Sequence, residues 1–340
     1  MTQTQNNPIS RKQFLRRAAP LALTLFIPDF VKAGFGENAN IFRIGLLTDL
    51  HHDVMHDGAT RLQAFLSAMK KRRPDAIAQL GDFCYPNDAN LPVIQAFNNA
   101  HKNRLHVLGN HDKDNGHTFE QCVQKWGMPS QYYSQSIDGY QFIVLNGNEK
   151  GSPSHKGGYP AYIGPAQAAW LKTQLSEGKG PAIILCHQPL EGPAAVDNAQ
   201  EIQDIISAFR DRVLLVINGH THIDRLSHVG DVPYLTINSA SYYWVGGDYK
   251  HESYSPQIHS DHPYISHTCP YRDPIFTTLT INTAASTITV ESCNSGWMGP
   301  SPESLGYKEN DFTVGKEIVP FIRERKMKVT GGAIKRGAAK

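Results

Sequence analysis

Five apolar runs in this chain, residues 44–47, 76–80, 105–108, 183–185 and 213–217, each stop at a short polar motif. The motifs are Asp49-Leu50-His51, Gly81-Asp82, Gly109-Asn110-His111-Asp112, Cys186-His187 and Gly219-His220-Thr221-His222. Short apolar runs closed by turn residues read as buried strands. Open α/β sheets place their chemistry just beyond the carboxyl ends of strands, where loops aim side chains into one crevice. Five such junctions constrain the chain to an α/β fold whose strand ends converge.

Helical patterns fill the gaps. Leu62, Phe65, Leu66 and Met69 share one helical face, and a charge run from Lys70 to Arg73 ends it before Pro74. Pro165 opens a helix carrying Trp170, Leu171 and Leu175. Asn198 with Glu201 reads as a capping box ahead of the inward-facing Ile202, Ile205, Ile206 and Phe209. Further strands are expected at 140–145, 233–238, 275–281 and 287–291, the last two joined as a hairpin, and the strand count suggests two sheets. No repeat or low-complexity linker divides the body, so we read one domain over 40–295 and a C-terminal extension with a basic tail over 296–340.

Two segments read as insertions. Residues 147–164 are rich in Gly, Ser and Pro, and 241–274 hold seven tyrosines or tryptophans with His251, His259, His262 and His267. Long segments of this kind are often lids or binding loops. Because 241–274 follows the strand after the last motif, it is expected to act as a lid over the site and to help choose substrate; a surface ornament with solvated histidines is the alternative.

The ends of the chain are basic and the body is not. Residues 1–33 carry a basic start (Ser10-Arg11-Lys12-Gln13-Phe14-Leu15-Arg16), an apolar middle and a Val31-Lys32-Ala33 exit, the order of an export signal peptide. The apolar middle is shorter than the roughly 20 residues of a membrane span. The pattern is similar to twin-arginine signals, with Lys12 standing where those have a second arginine. An uncleaved anchor is the alternative, against which Pro20, Pro28 and Asp29 weigh; the expectation is a periplasmic or extracellular protein with no stable membrane span. Residues 1–34 and 323–340 carry +4 and +6, so a formal whole-chain charge of +2 leaves the body near −8. A body of that sign argues against nucleic acid as the main substrate. The tail beyond Val329 has few large apolar residues and reads as a frayed terminus. Cys84, Cys122, Cys186, Cys269 and Cys293 form no metal-binding Cys-x-x-Cys pair, and only Cys269 with Cys293 is a candidate disulfide.

The five motifs mix carboxylate oxygen with imidazole and require no thiolate, which suits Mn, Fe, Zn or Co rather than a structural zinc cage. Two ions roughly 3.5 to 4 Å apart need a shared carboxylate with separate ligands on each side, and Asp82 is the natural bridge. Singly, each of these residues is more often structural; together and in order they are not easily explained that way.

The full set resembles the motifs of calcineurin-like metallophosphoesterases: Asp-x-His, Gly-Asp, Gly-Asn-His-Asp/Glu, His and Gly-His-x-His. That resemblance spans residues 42–281 and implies a four-layer α/β/β/α sandwich with two mixed β-sheets and two divalent or mixed-valence ions (Mn, Fe, Zn or Co). It places one ion on Asp49, His51, Asp82 and His222 and the other on Asp82, Asn110, His187 and His220. It further implies hydrolysis of small phosphoesters by a metal-bridging hydroxide. His111 is then the candidate proton donor to the leaving alkoxide, with Asp112 expected to fix its imidazole. Small phosphodiesters lead as substrates and phosphomonoesters follow; a nucleotide-linked pyrophosphatase, a lipid phosphodiesterase and a non-catalytic metal-binding scaffold are the alternatives. Tyr85 also fits the Gly-Asp-x-x-Tyr motif of purple acid phosphatases, but His51 already fills the place its tyrosinate takes there.

Overall fold

A computed structural model describes residues 41–329; the proposed export signal and the tail beyond Val329 lie outside the described residues. Strands β1 (Ile41–Leu47), β2 (Ala76–Gln79), β3 (Arg104–His106), β4 (Tyr133–Ile137), β5 (Tyr140–Val144), β6 (Ala182–Leu185), β7 (Val213–Asn218), β8 (Arg225–Val229) and β9 (Val232–Thr236) occupy the first two thirds. There follow β10 (Tyr242–Trp244), β11 (Thr268–Pro270), β12 (Thr277–Asn282), β13 (Thr287–Val290), β14 (Cys293–Asn294), β15 (Phe321–Ile322) and β16 (Arg325–Lys328). The helices that matter to the site are α1 (Gly58–Arg72), α2 (Leu91–Ala100), α3 (Phe119–Trp126), α4 (Pro165–Glu177) and α5 (Ala199–Ala208).

Two six-stranded sheets form, in the orders β16-β13-β12-β1-β2-β3 and β4-β5-β6-β7-β9-β8. Each is mixed: β1-β2-β3 and β5-β6-β7-β9 run parallel, and antiparallel strands flank them. The central parallel strands β6 and β7 are almost wholly apolar because both faces are covered. In β6, Ile183 and Leu185 point into the core shared by the two sheets, whereas Ala182 and Ile184 point the other way, against Leu171 and Leu175 of α4 and Ile202 and Ile206 of α5. On the first sheet Leu62, Phe65 and Met69 of α1 and Ile94 and Phe97 of α2 close the outer face. The result is the expected four-layer α/β/β/α sandwich, with five motif loops leaving the same edge.

One local expectation needs correction. Asn198 does not cap α5; its amide instead brackets Ile163, accepting from that residue's N–H (3.2 Å) and donating to its carbonyl (2.8 Å) and to Glu201 (2.9 Å). Competition from a neighbouring loop backbone removed the cap. A capping box does form at Thr118 and Gln121, where the Thr-x-x-Gln spacing opens α3. In the C-terminal extension, β16 adds an edge to the first sheet by pairing with β13, and β15 pairs with β14. The five cysteines are all free. No helix among the described residues is long and apolar enough to cross a membrane.

Asp224 fastens that extension. Its carboxylate is buried and accepts from the guanidiniums of Arg323 (2.7 Å) and Arg325 (2.6 Å), so two of the tail's basic charges are structural. Removing one member of a buried, hydrogen-bonded charge cluster leaves the others unpaired and costs about 2 kcal/mol. Asp224→Ala should therefore lower the urea midpoint accordingly and make 321–328 sensitive to limited proteolysis.

Candidate metal centre

The loops that leave β1, β2 and β7 turn sharply. Asp49, His51, Asp82, His220 and His222 all sit in left-handed backbone, with φ between 45° and 71°. Such conformations cost on the order of 1–3 kcal/mol each for residues other than glycine and gather at functional sites. Here the loops extend the parallel ladder past the sheet: Asp49 N–H donates to Gly81 O (3.0 Å) and His51 N–H to Asp82 O (2.9 Å). Those bonds offset part of the cost and fix the direction of the side chains.

Gly81 and Gly109 make the close approach feasible. A Cβ on Gly81, whose φ is +106°, would run into the imidazole of His187, and one on Gly109 would overlap the Asp82 backbone and carboxylate. Asp112, fully buried, then ties the second and third motifs together by accepting N–H bonds from Phe83 (2.7 Å), Gly109 (2.7 Å) and Asp82 (3.1 Å). Burial and the adjacent Asp82 charge push its carboxyl up to about 8, with the amides of Gly109 and Phe83 pulling the other way.

These loops bring six of the seven expected ligands, Asp49, His51, Asp82, His187, His220 and His222, to one place. Asp49, His51 and His222 offer ligand atoms within 4.8 Å of one another, and so do Asp82, His187 and His220. Asp82 lies between the groups: its Oδ2 is 3.5 Å from His51 Nε2 and 3.2 Å from His187 Nε2, while its Oδ1 is held by His111 N–H at 2.8 Å. Asp49 Oδ1 is 3.1 Å from His222 Nε2 and 3.9 Å from His187 Nε2. Asn110 Oδ1 is buried and accepts no hydrogen bond.

The donor set fits a pair of cations. Ring nitrogens face each other at 3.2 Å (His51 with His222) and 3.3 Å (His187 with His220), a distance at which two lone pairs repel unless a cation or proton lies between them. His187 Nδ1 is satisfied by Leu80 O and His222 Nδ1 by Tyr242 O, both at 2.8 Å, which leaves each Nε2 lone pair directed inward. Burial drives His51 and His220 down to about 3 and so keeps them neutral, the form that ligates metal. Burial opposes charge on His187 as well, but the Asp82 and Asp49 carboxylates together outweigh it and lift that ring to about 9, so an ion ligating at its Nε2 displaces a proton.

His111 lines the same cavity, but the partner expected for it is wrong. Its Nδ1 bonds Asp114 Oδ2 at 2.7 Å, not Asp112. The segment His111–Lys113 is a 3₁₀ turn. With three residues per turn, side chains at i and i+3 eclipse whereas neighbours diverge, so the signal was the His-x-x-Asp spacing. Tyr159, from the 147–164 segment, donates its hydroxyl to Asp114 at 2.8 Å and packs its ring on His111 at 4.8 Å.

The cavity is about 710 Å³ in volume, and each of the two insertions contributes to its walls beside the motif loops and Tyr307, Glu309 and Phe312 of the C-terminal extension. Tyr242, Tyr243, Trp244 and Tyr264 of 241–274 line it, and Tyr242 stacks on His51 with centroids 4.9 Å apart. Tyr85 also lines it, with its ring against His117. Of the polar residues beside the first motif, Asp53 accepts from Tyr85 N–H and Asn90 and Asp57 from Arg61, so they build the loop. Arg225 is paired with Glu191.

The family model for calcineurin-like phosphoesterases matches residues 42–224. Among curated proteins, none matches the sequence. A dimetal phosphatase from Danio rerio has a similar structure, with 15% identity, a TM-score of 0.51 and alignment over 74% of this chain and 95% of that one. GAP50, the anchor in the inner membrane complex of Plasmodium, is similar at 15% identity and a TM-score of 0.50, over 85% of this chain and 89% of that one. At such identity these likenesses speak for the fold alone, and the family rests on the model match. With the motif loops matched and converging at one strand edge, the chain belongs to the calcineurin-like phosphoesterase family and is a metal-dependent hydrolase of phosphoric esters.

Proposed function

We propose that this chain is an exported phosphoesterase acting on small phosphoesters, diesters ahead of monoesters. The observation that carries this is the sharing of Asp82 between two ligand groups at the foot of a cavity large enough for a small organic ester. Export rests on the signal-like order of residues 1–33. Asp49, His51, Asp82 and His222 would hold one ion and Asp82, Asn110, His187 and His220 the other; the donor set favours Mn, Fe, Zn or Co. Bound there, such ions supply a lowered water pKa and positive charge against the phosphate oxygens.

The chain's own residues orient and protonate. His111 donates from Nε2 to the ester oxygen as its bond to phosphorus breaks, so the leaving group departs as a neutral alcohol and the ring is left neutral. Asp114 holds Nδ1–H, which leaves Nε2 free for that transfer, and Tyr159 holds Asp114. Asp112 acts on backbone rather than substrate, keeping Asp82 and Asn110 in register.

A scaffold without catalysis remains the reading from another class. It is disfavoured because every ligand position and His111 are kept, including the unpartnered Asn110 carbonyl.

His111→Ala should cut turnover about a hundredfold while metal content stays at wild-type level, whereas Asp82→Asn should lose metal; equal metal loss in both would refute the division of roles. Asp114→Asn should reduce turnover about tenfold and shift the pH profile with metal retained, while Asp112→Asn should instead lower metal content and stability. Protein of measured metal content should hydrolyse bis-p-nitrophenyl phosphate faster than p-nitrophenyl phosphate. Turnover of neither with Mn, Zn, Fe or Co would favour the scaffold.

A further inference from the structure

Three large hydrophobic side chains are exposed among the described residues: Tyr159 (42%), Trp244 (44%) and Tyr264 (61%). All three line the one cavity that holds the ligand cluster. Exposed apolar surface confined to a cleft marks a binding surface rather than incidental exposure.

Trp244 is the best placed of them. Its indole stacks on the His267 imidazole, with centroids 5.3 Å apart and planes 2° from parallel. One face is thereby covered while the residue stays nearly half exposed, which leaves an open flat face. Two ring contacts, Trp244 to Tyr242 at 6.4 Å and Tyr242 to His51 at 4.9 Å, link this face to the ligand cluster. A phosphoryl group at the cluster and an organic group on the indole therefore fit within one small molecule.

Charge narrows the choice further. Asp53, Asp114 and Glu309 line the cavity, and none of the described lining residues is Lys or Arg. A second phosphate, as in a nucleoside diphosphate or a dinucleotide, would meet carboxylates with no guanidinium or ammonium to receive it. The organic group has to be uncharged or cationic.

We propose that Trp244 is a stacking platform for the planar, non-anionic organic group of the substrate, which makes aromatic esters bearing a single phosphoryl group, nucleoside or aryl, the substrate class. This deepens the phosphoesterase reading and rests on it. Among the earlier alternatives it disfavours the nucleotide-linked pyrophosphatase.

The test is calorimetric binding to metal-loaded protein, using ligands that are not turned over. Wild type should bind phenylphosphonate about tenfold more tightly than methylphosphonate, the size expected of one stacking contact. Trp244→Ala should erase that preference, and Trp244→Phe, which keeps a flat ring, should retain most of it. The non-hydrolysable phosphonate analogue of adenosine 5′-diphosphate should bind no more tightly than that of adenosine 5′-monophosphate. An unchanged preference in Trp244→Ala, or a diphosphate favoured tenfold or more, overturns the platform. Failure of the metal-loaded protein to hydrolyse any ester would instead sink the phosphoesterase reading, and the phosphonate comparison would still judge the platform by itself.

Discussion

Two carboxylates and four imidazoles sit with their ligand atoms within about 4 Å of near neighbours in a site that is mostly buried. Groups of this kind cannot all be desolvated, ionised and lone-pair-bearing together unless positive charge is shared among them. The local backbone gives way to that requirement. Five ligand residues accept left-handed turns, two glycines vacate the space where loops cross, and Asp112 accepts from three amides that hold the second and third motifs together. The sandwich underneath supplies the rigidity for this, because its parallel strands are packed on both faces.

Much of this was readable from residues alone. Apolar runs covered on both sides give a strong strand signal, and their ends announce the loops, so the architecture and the six side chains that gather at the strand ends followed from pattern and resemblance. What escaped was set by turn geometry and long-range competition. Asp112 adjoins His111 in sequence, yet a 3₁₀ turn directs the two apart and hands the imidazole to Asp114. Asn198 has capping chemistry, but the Ile163 backbone claims it. The edge strands β8 and β16 are polar and lack a clean alternation, and β16 depends on Asp224, a hundred residues earlier, for its anchorage.

The segment 241–274 is more than a cover. Its first strand brings three consecutive aromatic residues to the cavity, while flanking positions are tied to α1, where buried Arg61 donates to the carbonyls of Ala240 (3.2 Å) and Tyr271 (2.7 Å). The base of the insertion is thus pinned to the first sheet's outer helix, and its variable outer part is carried on fixed supports. Such an arrangement permits the recognition surface to change without disturbing the strand ends beneath it.

Tyr242 breaks that separation at one point. Its carbonyl receives the Nδ1–H of His222 and its ring lies on His51, so a single residue of the recognition strand touches two ligands assigned to the same ion. A molecule that settled β10 from the outer pocket would thereby also tighten the hold on that ion, and in equal measure the other way. Ion affinity would in that sense depend on what the outer pocket holds, as well as on the atoms that clasp the ion.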